Sequence, residues 1–339
     1  MNTPVSHFLT TISVLLTLGS APAAAQSFEA VGLRALGMGG AFVAVANDST
    51  ATWWNPAGLA TGPFLDIALT GASGESHDDT LPASRTGLWS FSLGTPPLGV
   101  SYYRLRITDI RASSPTAPAE AGREDRAAGV GIRSLSVSQF GATVLHTITT
   151  GVSAGATVKY LRGTSRVRDL DAAASAGDIS DLLDDADDLP GGDGEGTVDI
   201  DVGVLAAIGA VRLGVTARNL SEPSFGGRRL ERQVRLGAAF DGTAAGKPPV
   251  TLSLDVDLRR YAAATGDRRV VALGGEHWVR PQRVALRAGA RFNTVGPQER
   301  TVTAGASVAV RAAMFVDGYG AVGTKTGESG WGVAARVSF

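Results

Sequence analysis

The sequence predicts an all-β fold, a 14-stranded antiparallel transmembrane β-barrel. Three observations predict it: alternating-polarity segments of bilayer-crossing length, connections that alternate between short and long, and a last strand that stops on phenylalanine downstream of an export signal. In that last strand Trp331, Val333, Ala335, Val337 and Phe339 are apolar, while Gly332, Ala334, Arg336 and Ser338 between them are small or polar. One face suits lipid and the other a wet lumen.

Period-2 segments fall near 64–73, 84–94, 97–108, 133–148, 151–163, 197–207, 210–219, 232–241, 249–260, 268–279, 283–294, 300–310, 312–319 and 331–339. Tilted strands of about 9–11 residues cross a bilayer. The rule is plainest where Val211, Leu213, Val215 and Ala217 alternate with Arg212, Gly214, Thr216 and Arg218. The connections at 95–96, 149–150, 209, 280–282 and 311 are short, whereas those at 109–132, 164–196, 220–231 and 320–330 are long; the turn at 242–248 is an exception on the short side. Short turns are expected to face the periplasm and long loops the outside. An even strand number then puts both termini in the periplasm.

Composition excludes several classes. Residues 8–18 form an apolar run followed by Ala21-Pro22-Ala23-Ala24-Ala25, a cleavable signal over 1–25 that is too short to span a membrane. With no cysteine in the chain, neither a disulfide nor a lipid-modified cysteine is available. The 44 glycines, and the lack of any long apolar run after the signal, favour many short strands over membrane helices. A formal net charge of -1 argues against a nucleic-acid partner. Aromatics at 6% are sparse for the girdles that such barrels carry.

Alternation assigns Asp66, Lys159, Asp199, Asp201, Arg212, Arg218, Arg235, Asp255, Asp257, Arg259, Arg287, Arg291, Asp317 and Arg336 to the lumen. Both signs are present, which predicts ion-pair networks filling the barrel more than a selective ion channel.

Upstream of the first strand, Arg34-Ala-Leu-Gly37-Met-Gly39-Gly40-Ala-Phe42 continues to Trp53-Trp54-Asn55-Pro56-Ala57-Gly58-Leu59-Ala60. This stretch resembles the N-terminal hatch of the FadL-like outer-membrane transporters and their PorV-like relatives. Asn219–Pro223 and Arg232–Gly237 are also similar to the superfamily's seventh and eighth strands. The resemblance divides the chain into a signal (1–25), a hatch or plug (26–63) and an outer-membrane barrel (64–339). It implies passive passage of long-chain fatty acids or other hydrophobic small molecules by a monomer set in outer-membrane lipid, with no cofactor. The PorV-like alternative is an adaptor that holds or hands over secreted proteins and needs no continuous apolar path. Gly37, Gly39 and Gly40 suit close backbone approach in a crowded plug, and Phe42 stands where a dinucleotide loop needs its last glycine. Asn55-Pro56, followed by Ala57, forms a turn that the Asn55 side chain can cap.

Two further stretches are candidate site elements. In the third strand Leu98, Val100 and Tyr102 hold one phase, but Leu105 and Ile107 hold the other. A β-bulge at Tyr102-Tyr103 would do this. By resemblance, Gly99, Tyr102, Tyr103 and Arg104 then line a lateral exit, against the simpler reading of an interfacial tyrosine pair. Residues 169–201 hold twelve Asp or Glu and no Lys or Arg. Within them Ile179, Leu182, Leu183, Ala186 and Leu189 share one helical face, an amphipathic surface helix that the resemblance makes an external ligand groove. The carboxylates lack EF-hand spacing and read as a solvated loop without a metal. Gly151-Val-Ser153-Ala-Gly155 matches G-x-S-x-G but opens a strand instead of an elbow, and His77 and His277 are isolated, so no enzyme is expected.

Overall fold

The computed structural model describes residues 30–76, 82–112, 130–170, 178–187, 189, 192, 194–263, 266–280, 283–323 and 327–339. The signal segment 1–25, His77 and parts of the long connections lie outside the described residues. Fourteen antiparallel strands close into one barrel. They are β1 Asp66–Ser76, β2 Ala83–Thr95, β3 Leu98–Ala112, β4 Val130–Thr149, β5 Val152–Leu170, β6 Gly194–Ile208 and β7 Val211–Arg218, with β8 Gln233–Asp241, β9 Val250–Asp257, β10 Val270–Arg280, β11 Val284–Asn293, β12 Arg300–Arg311, β13 Met314–Gly323 and β14 Glu328–Ser338. Every period-2 segment read from the sequence becomes a barrel strand. Closure is by β1 with β14, in register from Asp66 opposite Ser338 to Ser76 opposite Glu328, which leaves the barrel itself no sheet edge.

Alternation sets the two faces. Leu69, Trp89, Val100, Phe140, Val158, Leu213, Leu252, Leu286, Val316 and Trp331 point outward and are exposed. So large an apolar surface on a closed barrel is a lipid-facing surface. Short turns crowd one end, where β1 begins and β14 ends. At the other end β3, β4 and β5 extend to 15, 20 and 19 residues.

The lumen is filled by residues 30–63. This segment makes two short helices, α1 Leu33–Gly37 and α2 Ala51–Trp54, and a 3-10 turn over Pro56–Thr61. Val31, Phe42, Trp53 and Trp54 are fully buried and share a core with Leu88, Tyr103 and Leu105 of the wall. The segment is too short and too interrupted to hold helices alone, so the barrel supplies its fold.

Outside the barrel, α3 Ile179–Asp187 forms where the spacing predicted a helix. Its Leu182, Leu183 and Ala186, with Leu189 beyond its end, pack against Ala83, Ile110, Val130 and Ile132, and Ile179 is partly buried there. By alternation these wall residues share the outward face of β2–β4 with Phe91, Val100 and Phe140. Arg85 pairs with Asp184 at 2.5 Å, and Thr108 donates to Asp187 at 2.9 Å.

Candidate functional site

The N-terminal segment is seated in the wall through glycines. Gly94 and Gly99, Gly155 and Gly203, Gly214 and Gly237, and Gly274 and Gly289 are direct cross-strand partners. Each pair cuts a notch two strands wide in the inner face. A Cβ on Gly155 would lie 2.6 Å from the Pro56 carbonyl carbon, one on Gly214 2.7 Å from the Val43 oxygen, and one on Gly289 2.2 Å from the Gly39 nitrogen. Gly39 is constrained from its own side too, since φ is +70° and a Cβ there would meet the Ala290 nitrogen at 2.7 Å. Gly37 passes Gly305, and Gly40 lends its carbonyl to Arg235 at 3.3 Å. The predicted hatch glycines are therefore all at the seam. Period-2 reading missed the wall glycines, although glycine inside a strand signals close backbone approach.

Asn55 anchors the far side of the segment. Its Oδ1 accepts from the Ala57 amide at 3.2 Å, and its Nδ2 donates to the Val43 carbonyl at 3.0 Å and to the Val204 carbonyl of β6 at 3.1 Å. Asn55 thus caps the Pro56 turn and ties it to the wall.

Charges close the seam. Arg34 donates to both oxygens of Glu276 at 2.8 Å, a bidentate pair, while Arg287 Nε donates to Glu276 Oε2 at 2.7 Å. Burial opposes the charge on Arg34, but the Glu276 and Asp48 carboxylates outweigh it and hold its proton above the ordinary arginine range. From Arg287 the network runs through Ser307 to Asp317, then to Arg336 and Asp66, and Asp66 accepts from the Ser49 amide at 2.9 Å. It starts and ends on the N-terminal segment. Asp255 accepts from the Phe42 and Val43 amides at 2.9 and 2.8 Å. On the opposite wall Lys159 bonds Asp201 and Asn219 and pairs with Asp199, while Arg218 lies 3.4 Å over the Trp53 ring.

Mixed lumen charge is thus held in ion pairs, some reaching the segment and others, such as Lys159–Asp199, Arg212–Asp241 and Arg291–Glu328, joining wall strands. Arg259 is the exception among the assigned positions, because β9 ends at Asp257 and Arg259 is exposed beyond it. Glu276 is the central carboxylate that sequence reasoning missed. It sits in Gly274-Gly275-Glu276-His277, where two glycines hide the alternation.

The expected break in β3 is absent. β3 pairs with β2 from Leu98 to Ile110 and with β4 from Leu98 to Ala112 without a register shift. Gly99 faces inward against Thr52 and Leu59. Tyr103 faces inward too, edge-on to Trp53 at 5.3 Å and bonded to Thr52, whereas Tyr102 faces outward against Trp89 at 5.5 Å and Arg104 is exposed. These four residues do not line one opening. What changes along β3 is the environment: Leu105 and Ile107 face an apolar part of the lumen, and Arg106 faces the outer layer near Asp187 at 3.6 Å. The α3 leucines likewise line no open groove, since their apolar face is spent on the wall. His146 and Ser153 point to opposite faces of the sheet, Ser153 buried and His146 exposed, so they form no catalytic pair.

Above the N-terminal segment, towards the long loops, lies a lumenal chamber of about 120 Å³. Leu36 of α1, with Ala72, Leu88 and Ile107 of the wall, supplies an apolar patch that Tyr319 and Ala321 continue, and Ser73, Ser76, Ser84, Thr86 and Ser329 make the rest of the lining polar. Its rim is charged but paired: Arg291 with Glu328, and Arg268 with Glu299 at 3.0 Å. An engineered apolar cavity of about 150 Å³ holds benzene. The chamber therefore has the scale of one compact hydrophobe. A wider apolar depression over Val144, Ala156, Val202 and Val215 lies on the lipid side of β4–β7.

A family model described as "F plasmid transfer operon, TraF, protein" matches residues 99–257, less than half of the chain. No curated protein matches the sequence significantly. Solved structures match over nearly the whole chain. The Ralstonia pickettii toluene transporter TbuX aligns with a TM-score of 0.63 at 15% identity, covering 92% of this chain and 99% of that one. A Pseudomonas aeruginosa FadL homologue gives 0.63 at 12%, covering 94% and 100%, and the CymD monoaromatic hydrocarbon channel 0.59 at 13%, covering 93% and 99%. At these identities the likeness is one of fold. The fold is that of the FadL-type outer-membrane barrels, with fourteen strands around a filled lumen.

Proposed function

We propose that this chain is an outer-membrane channel through which hydrophobic small molecules pass without energy input, residues 26–63 acting as its hatch. The observation that carries the reading is the chamber between hatch and outer mouth, floored by α1, where Leu36, Ala72, Leu88, Ile107 and Ala321 form an apolar patch within an otherwise polar lining. It supports a compact hydrophobe over an extended fatty-acid chain in the closed state. The proteins of similar fold include a toluene transporter and a monoaromatic hydrocarbon channel, which agrees with that size. Short turns lie in the periplasm with both termini, and the barrel works as a monomer. The sealed glycine seam supports a hatch that must shift for cargo to pass. We place no lateral exit at β3, whose pairing is unbroken on both sides.

The test is uptake of labelled toluene by cells stripped of their own hydrophobe channels. Expression of this chain should raise uptake, and Leu88→Trp, which fills the chamber, should return it to background while the barrel still assembles. Uptake no higher than in cells lacking the chain, together with crosslinking to a secreted protein, would overturn the reading in favour of the adaptor.

A further inference from the structure

The barrel rim at the short-turn end is basic. Lys247 between β8 and β9, Arg280 and Arg283 flanking the β10–β11 turn, and Arg311 at the end of β12 are all exposed. Among the described residues near this rim, Asp241 is engaged by Arg212 at 2.5 Å and Asp66 is buried beside Arg336. No carboxylate side chain there is left for the four cations.

Strand pairing gathers them on one arc. Arg280 stands opposite Val284, the residue after Arg283. The Arg283 carbonyl accepts from the Ala309 amide at 2.7 Å, two residues before Arg311, and the Pro249 carbonyl, two residues after Lys247, accepts from the Trp278 amide at 3.1 Å. With strands about 4.8 Å apart, the three arginines fall within roughly 10 Å along the rim. The wall beside them is apolar and open: Val279, Leu286, Val308, Val310 and Met314 are all outward and exposed.

An occupant of this place must offer negative charge to the rim and alkyl surface to the wall. An acidic soluble protein meets only the first demand. We propose that the arc Lys247–Arg280–Arg283–Arg311 binds the headgroup of an anionic phospholipid in the adjacent leaflet, its chains lying on Val279, Leu286, Val308 and Val310. Guanidinium forks match phosphate oxygens in pairs, and basic side chains at a membrane surface draw anionic lipid. The inference rests on the membrane-spanning barrel and not on cargo passage; only the name of the leaflet, periplasmic, comes from the orientation proposed above. Lipid preference and toluene uptake are therefore read separately.

The experiment is native mass spectrometry of the full chain released from detergent after equal additions of phosphatidylglycerol and phosphatidylethanolamine. The wild type should retain phosphatidylglycerol preferentially. Arg280→Gln, Arg283→Gln and Arg311→Gln together should erase the preference, by about fivefold per arginine. Arg229→Gln with Arg260→Gln, exposed at the opposite rim, should leave it intact. If the triple variant loses the heat-modifiable mobility of a folded barrel, Lys247→Gln in its exposed turn should still lower the preference about fivefold. The proposal is overturned by equal retention of both lipids on the wild type, by equal loss in the opposite-rim variant, by displacement of the lipid with inorganic phosphate, or by crosslinking of an acidic protein without lipid preference.

Discussion

Replacing Gly289 with alanine probes the glycine seam at its tightest backbone contact. The added Cβ would sit 2.2 Å from both the Gly39 nitrogen and the Met38 carbonyl carbon. Neither partner is a flexible side-chain end, so β11 or the hatch backbone must move. Overpacking of this kind costs about 1–3 kcal/mol. The barrel strands keep their own ladder, so the cost falls on docking of the hatch, whose protection should drop about 5- to 150-fold. Hydrogen exchange of the amides over residues 36–46, in detergent-folded protein, reads this directly. Gly71→Ala is the control, because nothing lies within 4 Å of its Cβ and the hatch should be unaffected. Gly274→Ala strikes the same Met38 peptide, with a Cβ 2.3 Å from its oxygen, so Gly274→Ala and Gly289→Ala should not be additive. Unchanged hatch protection in Gly289→Ala, or an equal loss in Gly71→Ala, would refute the seam.

Two further outcomes follow from the charged and apolar contacts. Glu276→Gln removes the carboxylate that Arg34 and Arg287 share. Leaving buried Arg287 without its carboxylate contact, and Arg34 with only Asp48 at 3.5 Å, should cost about 3–5 kcal/mol, seen as a lower denaturant midpoint. Leu183→Ala should free α3 from the outer face of β2–β4, where Leu183 is fully buried. The expected loss is about 2–5 kcal/mol, local to α3. Limited proteolysis should then cut near 178–189 while the barrel stays resistant.

The barrel was legible because lipid and lumen impose opposite chemistry on successive side chains, and that signal repeats in every strand. It failed where the two environments change along a strand. In β3 the reading assumed apolar residues always face lipid, so Leu105 and Ile107 looked like a slipped phase. They face inward because the lumen there is packed with Leu88 and Tyr103, while Arg106 has left the lipid band for the layer of α3. Helical spacing found α3 but not its docking face, since Ile110 and Ile132 carry no mark that distinguishes a helix above them from lipid. The seam was half visible. Gly37, Gly39 and Gly40 stood out in a run, but their wall partners are single glycines in separate strands, and only strand register shows that they pair.

A covalent lock between the N-terminal segment and the wall would stop any movement of the hatch. Ser49 of the hatch and Ser92 of β2 have hydroxyl oxygens 2.9 Å apart, and the chain has no cysteine of its own. Ser49→Cys with Ser92→Cys should form a disulfide between hatch and wall under oxidising conditions. Toluene uptake should fall to background in the oxidised variant and return on reduction, with each single variant unaffected. Full uptake through the oxidised, crosslinked protein would contradict the claim that cargo passes only when the hatch moves.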